Sequence, residues 1–193
     1  GRGTATFMIA GDVCTRGCRF CAIDTAKNPP PLDPSEPESL AEAVSRMGLS
    51  HAVITVVNRD DLPDGGARHY RECIAAIHEK SPDVGLELLC SDLDGDMESL
   101  STLLEGLPLK VFAHNVECVP RLDSVVRDPR ASFERSISIL VEAKRIRPDM
   151  LTKSSIMVGL GETDEEVSEA MMRLRSAGVD MITLGQYLQP GDR

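Results

Sequence analysis

Apolar and polar positions alternate along this chain in two rhythms. Short runs rich in Val, Ile, Leu and Phe, at residues 6–10, 51–57, 85–90, 111–117, 151–158 and 181–188, have the length and composition of strands buried on both faces. Between them lie segments with apolar residues every three or four positions, the period of a helix that lays one face on a core. Residues 39–47 carry this period at Leu40, Ala43, Val44 and Met47, and the same logic predicts helices at 67–80, 97–104, 132–145 and 164–177. Thr163 followed by Glu166 has capping-box spacing, and Gly178 supplies a C-terminal stop. Six strand-helix units predict one α/β domain over residues 1–193 around a parallel sheet. The periodicity fits an open doubly wound sheet and a partial barrel equally. Residues 28–37 hold Pro29, Pro30, Pro31, Pro34 and Pro37, which predicts a stiff extended connection, neither helix nor central strand.

Either architecture gathers chemistry at the carboxyl ends of the strands. The loop after the first strand contains three cysteines, and the loop at 58–66 is polar and Gly-rich, so both face one mouth. Charge narrows the classes of partner: 31 acidic against 21 basic residues give a net charge of −10, without the basic footprint of a nucleic-acid binder. No apolar run approaches the roughly 20 residues that cross a bilayer, and no secretory or transit signal opens the chain. The expectation is a soluble cytoplasmic protein with neither nucleic acid nor membrane as partner. Six cysteines in such a setting are reduced thiols, serving as metal ligands or core residues.

Cys14-Thr-Arg-Gly-Cys18-Arg-Phe-Cys21 sets three thiols within eight residues, enough to surround one face of a cubane cluster and leave a fourth iron open to a small molecule. One helix face would also give this spacing, but Gly17 and the preceding strand argue against it. Structural zinc asks for a fourth Cys or His, and none is near in sequence; three unligated core thiols are the remaining alternative. The C-x3-C-x2-C pattern, with Phe20 before its last Cys, resembles the radical S-adenosylmethionine superfamily. Residues 4–21, Arg59-Asp-Asp-Leu-Pro-Asp-Gly-Gly66, His114-Asn-Val-Glu117, Met157-Val-Gly-Leu-Gly-Glu162 and Gly185-Gln-Tyr-Leu-Gln-Pro190 together resemble the lipoyl synthase family nearly end to end.

The resemblance implies a partial (β/α)6 TIM-like barrel, and a 4Fe-4S cluster on Cys14, Cys18 and Cys21 that opens S-adenosylmethionine to a 5'-deoxyadenosyl radical. It further implies sulfur insertion at C6 and C8 of an octanoyl chain on a lipoyl carrier domain, either a 2-oxoacid dehydrogenase E2 subunit or the glycine cleavage H protein, with a low-potential electron donor. The family's second, auxiliary 4Fe-4S cluster uses a C-x4-C-x5-C segment ahead of the first strand and a Ser near the C-terminus, neither of which occurs in these residues. Sulfur insertion of the biotin synthase kind shares the cluster loop, although the 59–66 and 185–190 segments favour the lipoyl family. An inert metal-binding paralogue is the reading from another class.

Other positions follow. Strand alternation puts Asn115 and Glu117 on one face opposite Val116, and an amide beside a carboxylate suits hydroxyls that both donate and accept. The resemblance assigns the pair to the ribose of S-adenosylmethionine; a solvated strand end is the bland reading. Lys153, Ser154 and Gln186 are polar within apolar runs and need partners: Lys153 suits the methionine carboxylate or an internal ion pair. Gly159 and Gly161 permit close approach, which in the family accommodates adenine, but glycine is also the ordinary turn residue. Asp60 and Asp61 match in position the loop that contacts the amino group, or simply belong to a solvated turn. Cys73, Cys90 and Cys118 read as buried free thiols, and Arg121, Arg127 and Arg130 as a basic docking surface.

Overall fold

The computed structural model describes residues 3–191. Its principal sheet is six-stranded and wholly parallel, in the order β1 (Thr4–Ile9), β4 (His51–Val56), β5 (Gly85–Leu89), β6 (Val111–Ala113), β7 (Leu151–Val158) and β8 (Met181–Gln186). Two two-residue strands, β2 (Val13–Cys14) and β3 (Asp24–Thr25), pair in parallel beside it. Helices α1 (Glu36–Met47), α2 (Ala67–Lys80), α3 (Met97–Leu104), α5 (Phe133–Ile146) and α6 (Asp164–Ser176) fill the crossovers, and α4 (Asp123–Val126) is a single turn.

Strand order settles the architecture that periodicity left open. A doubly wound sheet reverses its strand order at a switch point. Here the order never reverses, so successive right-handed crossovers put every helix on one side and the sheet curls as a partial barrel, β1 and β8 being its two edges. On β7, Thr152, Ser154 and Ile156 point into the helix layer and are buried, while Lys153, Ser155 and Met157 face the concave side. The core lies between sheet and helices: Ile54, Ile74, Leu86, Leu88, Leu100 and Phe112 are fully buried there.

The predicted helices form within a few residues of their expected bounds, and Thr163 and Glu166 make the reciprocal capping box. Two expectations need correction. The strand expected at 111–117 stops at Ala113 and resumes only as an isolated bridge at Glu117. The proline stretch is not extended throughout, since α1 starts at Glu36 and includes Pro37. Proline is accepted there because the first-turn N–H groups have no partner within the helix.

Candidate active site at the carboxyl end of the sheet

The cysteine loop is closed at its neck by the β2–β3 pairing and by the Ala26 N–H donated to the Cys14 carbonyl at 3.0 Å. A turn from Cys21 N–H to the Cys18 carbonyl, 3.1 Å, brings the last two thiols to one side. Cys14, Cys18, Phe20, Cys21, Asn115 and Glu117 all line a cleft of about 280 Å³ at the carboxyl end of β4, β5 and β6. Cys14 Sγ accepts the Arg16 N–H at 3.4 Å and Cys18 Sγ the Asp128 N–H at 3.3 Å. Burial raises the Cys18 thiol, against the lowering effect of that Asp128 N–H.

A single tetrahedral zinc needs thiolates about 3.8 Å apart, given Zn–S bonds of about 2.3 Å. Among the described residues, the set whose donor atoms all lie within 4.8 Å of one another is Glu36, His69 and Cys73; the three loop thiols stand wider. Three free sulfurs beside an open cleft are the donor set that a cluster with one iron left open to a small molecule requires.

Asn115 and Glu117 share the cleft wall. Burial pushes the Glu117 carboxyl above its ordinary range, with Arg127 and Asn115 opposing. Glu117 takes a left-handed φ of 67°, held there by its N–H to the Ser155 carbonyl (3.1 Å) and its carbonyl to the Met157 N–H (2.8 Å). A non-glycine residue in that region carries strain that the surroundings must impose. Behind the wall, His114 Nδ1 donates to the Cys90 carbonyl (2.9 Å), and Nε2 accepts from the Ser136 hydroxyl (3.0 Å). Ser136 Oγ in turn accepts from Arg127 Nη2 (3.1 Å).

Several expected site residues are not brought to the cleft. Asp60 is occupied by Arg16, Thr15 and Arg130, and Asp61 by Arg59, so both carboxylates organise loops instead of facing an ammonium. Lys153 extends along the concave face to Glu87 at 2.8 Å, the internal ion pair rather than a ligand contact. Ser154 lies in the helix layer, accepting the Val116 N–H at 3.2 Å, because strand parity turns Ser155 inward in its place. Gly159 and Gly161 have φ of 96° and 103°, and the space beside Gly159 is taken by Gln186, whose Nε2 would stand 2.5 Å from an added Cβ. Of the expected docking arginines, Arg121 pairs with Glu166, Arg127 is buried, and Arg130 grips Asp128 and Asp60. Cys73, Cys90 and Cys118 are buried and free.

Residue types did not single out Arg16, Asp92 or Asp128. Arg16 is 2% exposed, and its Nη1 donates to Asp92 Oδ2 at 2.7 Å. The only sequence signal was an arginine set between two cysteines of the motif, which said nothing of its partners.

The Radical SAM superfamily model matches residues 8–185. The chain is 56% identical over 190 residues to the chloroplastic lipoyl synthase of Arabidopsis thaliana, covering 98% of this chain and 48% of that protein. It is 57% identical over 188 residues to the lipoyl synthase of Halorhodospira halophila, covering 97% and 56%. It thus spans about half the length of these relatives, others of which are named as mitochondrial. Among solved structures, methylornithine synthase superposes with a TM-score of 0.75 at 16% identity, covering 97% of this chain and 54% of that one. Streptococcus suis SuiB bound to S-adenosylmethionine superposes with a TM-score of 0.73 at 10% identity, covering 98% and 41%. Among the described residues no helix is long and apolar enough to cross a membrane.

Proposed function

This chain belongs to the Radical SAM superfamily, and from that premise we propose that residues 1–193 form one radical-generating core domain of a lipoyl synthase. The observation that carries the reading is the convergence of three free thiols with Asn115 and Glu117 on one cleft. Cys14, Cys18 and Cys21 hold a 4Fe-4S cluster, with S-adenosylmethionine beside it. Held by these thiols and reduced, such a cluster would supply the electron for reductive cleavage of S-adenosylmethionine, the chemistry by which the family takes hydrogens from an octanoyl chain. Asn115 and Glu117 hold the ribose hydroxyls, the amide donating and the carboxylate accepting. Phe20 screens the cleft from water at the last cysteine.

The product is the lipoyl group, formed by sulfur insertion at C6 and C8. Its sulfur comes from an auxiliary cluster whose ligands in the family lie ahead of the first strand. The substrate is an octanoylated carrier domain of a 2-oxoacid dehydrogenase or of the glycine cleavage system, and a low-potential protein supplies electrons. The cytoplasm is the proposed compartment, or an organelle as in the chloroplastic and mitochondrial relatives. High identity to lipoyl synthases supports the reading over one of the biotin synthase kind.

Anaerobic reconstitution with iron and sulfide, then reduction with S-adenosylmethionine present, tests it. About four irons per chain and 5'-deoxyadenosine are expected, both lost in Cys18→Ala. A colourless protein with stoichiometric zinc would overturn it.

A further inference from the structure

The cysteine loop is pinned to a second segment, residues 125–130, more than one hundred positions away. Arg19 donates its N–H to the Val126 carbonyl (2.9 Å) and its Nη1 to the Val125 carbonyl (3.3 Å). Gly17 donates its N–H to Asp128 Oδ2 (3.0 Å), while the Asp128 N–H returns to Cys18 Sγ (3.3 Å). Arg130 completes the contact. Its Nε and backbone N–H go to Asp128 Oδ1 (2.9 and 3.0 Å), and its Nη2 reaches the Thr15 carbonyl (2.7 Å).

The segment is itself held rigidly. Its Asp128 carbonyl takes the Ala131 N–H (2.9 Å), and Asp123 Oδ2 takes the Phe133 N–H (2.6 Å). Arg127, buried, donates Nη1 to the Val116 carbonyl (3.1 Å) and Nη2 to Ser136. Val116 lies between Asn115 and Glu117, so six consecutive residues tie the cysteine loop to the wall that carries the amide and the carboxylate.

We propose that residues 125–130 are a clamp that fixes the cysteine loop against the Asn115–Glu117 wall, with Asp128 as the positioning residue that aims an N–H at Cys18 Sγ. The inference rests on the cluster reading above and adds a residue that touches neither iron nor cofactor. A thiolate ligand carries negative charge that grows on reduction of its cluster, and hydrogen bonds to ligand sulfurs are among the terms that set cluster potential. An N–H held on Cys18 therefore favours the reduced cluster. The Asp128 carboxylate keeps it there by engaging Gly17 on the far side of the same turn.

The test compares Asp128→Asn with Asp128→Ala in the reconstituted chain. Both remove the same charge, so their difference isolates the hydrogen bonds: Asn still accepts the Gly17 N–H and Ala does not. The expected result is near-wild-type iron content in the Asn variant. In the Ala variant, the midpoint potential is displaced downward from that of the Asn variant, and iron is lost several-fold faster to a chelator. Equal potentials and equal iron retention in the two variants would overturn the clamp. Wild-type protein labelled with ¹⁵N at aspartate gives a measurement independent of variant folding: pulsed EPR of the reduced cluster should show ¹⁵N hyperfine coupling, and its absence is a second contrary outcome. If wild-type protein binds no iron, the cluster reading itself fails, a result distinct from either.

Discussion

Arg16 and Asp60, 44 positions apart, form a two-pronged ion pair: Arg16 Nη2 donates to Asp60 Oδ1 at 2.7 Å and Nε to Oδ2 at 3.0 Å. With Asp92 on the other side, the arginine between the first two cysteines is fastened to the loops that follow β4 and β5. Burial works against its charge, but the bonds to Asp60 and Asp92 outweigh it and hold the guanidinium protonated.

Removing that arginine takes from Asp92, which is 2% exposed, its nearest cation, leaving Arg135 at 3.7 Å, while Asp60 keeps Arg130 at 3.1 Å. Loss of one partner from a buried ion pair costs about 3–5 kcal/mol when the remaining charge is left unpaired, and less when a second cation remains. Arg16→Ala is expected to lose about 2–3 kcal/mol by denaturant titration of the iron-free chain. Arg16→Lys keeps the charge but loses the planar fork that meets two carboxylates, so it should fall between. A loss below about 1 kcal/mol in Arg16→Ala would show that the loops hold their positions without it.

Here the difference between what was legible in the sequence and what was not has a physical cause. Strand and helix positions were readable because period and composition are local properties. The Cys14 to Cys21 spacing was readable because all three thiols lie within one short loop. Alternation placed Asn115 and Glu117 on one face correctly even though the regular strand ends at Ala113, since bonds to Ser155 and Met157 preserve the parity. Parity also explains why Ser154 lies in the helix layer: a one-residue shift exchanges sheet face for helix layer. The partners of Asp60, Asp61 and Lys153 were not legible for another reason. A charged residue shows its charge in the sequence but not its partner, and Arg16, Arg59 and Glu87 reach them through the tertiary arrangement.

Lys153 and Asn115 can therefore be told apart by what their loss affects. Lys153→Met should leave S-adenosylmethionine binding to the reconstituted chain near wild type while lowering stability by about 1–3 kcal/mol, because among the described residues buried Glu87 then keeps His51, at 3.4 Å, as its side-chain partner. Asn115→Ala should do the reverse, weakening binding about tenfold, the equivalent of roughly 1.4 kcal/mol for a lost hydrogen bond, with little change in stability. Calorimetric titration and thermal unfolding measure the two. A Lys153→Met variant that fails to bind the cofactor would return that lysine to the site.

The thiols divide by environment. Burial pushes Cys73 and Cys118 up to about 12, and Cys90, fully enclosed, is raised as well, so these three stay protonated and unreactive at neutral pH. In native iron-free protein at pH 8, iodoacetamide should label Cys18 and Cys21 well before them, as peptide mass mapping would reveal. Conversion of Cys90 or Cys118 to Ala should leave iron content unchanged. Early labelling of Cys73 would contradict the packing between α1 and α2.

Stability should also follow the protonation of His114. Burial lowers its pKa from 6.5 to about 4, against a raising contribution from its bond to the Cys90 carbonyl and the charge of Asp92, with Arg127 and Arg16 acting in the same direction as burial. Its Nδ1 donates to Cys90 and its Nε2 accepts from Ser136, so the neutral ring satisfies both partners and a protonated ring would put a second donor where Ser136 donates. The folded pKa lies below the unfolded one, so between these values the unfolded chain binds more protons. The His114 contribution is thus complete above pH 6.5 and is lost as pH falls toward 4, on the order of 3 kcal/mol in all. Denaturation midpoints of the iron-free chain, measured from pH 7 to pH 4.5, should fall more steeply in wild type than in His114→Gln, whose amide reproduces a donor and an acceptor without titrating. Parallel curves for the two proteins would mean that carboxylates, not His114, govern the acid limb.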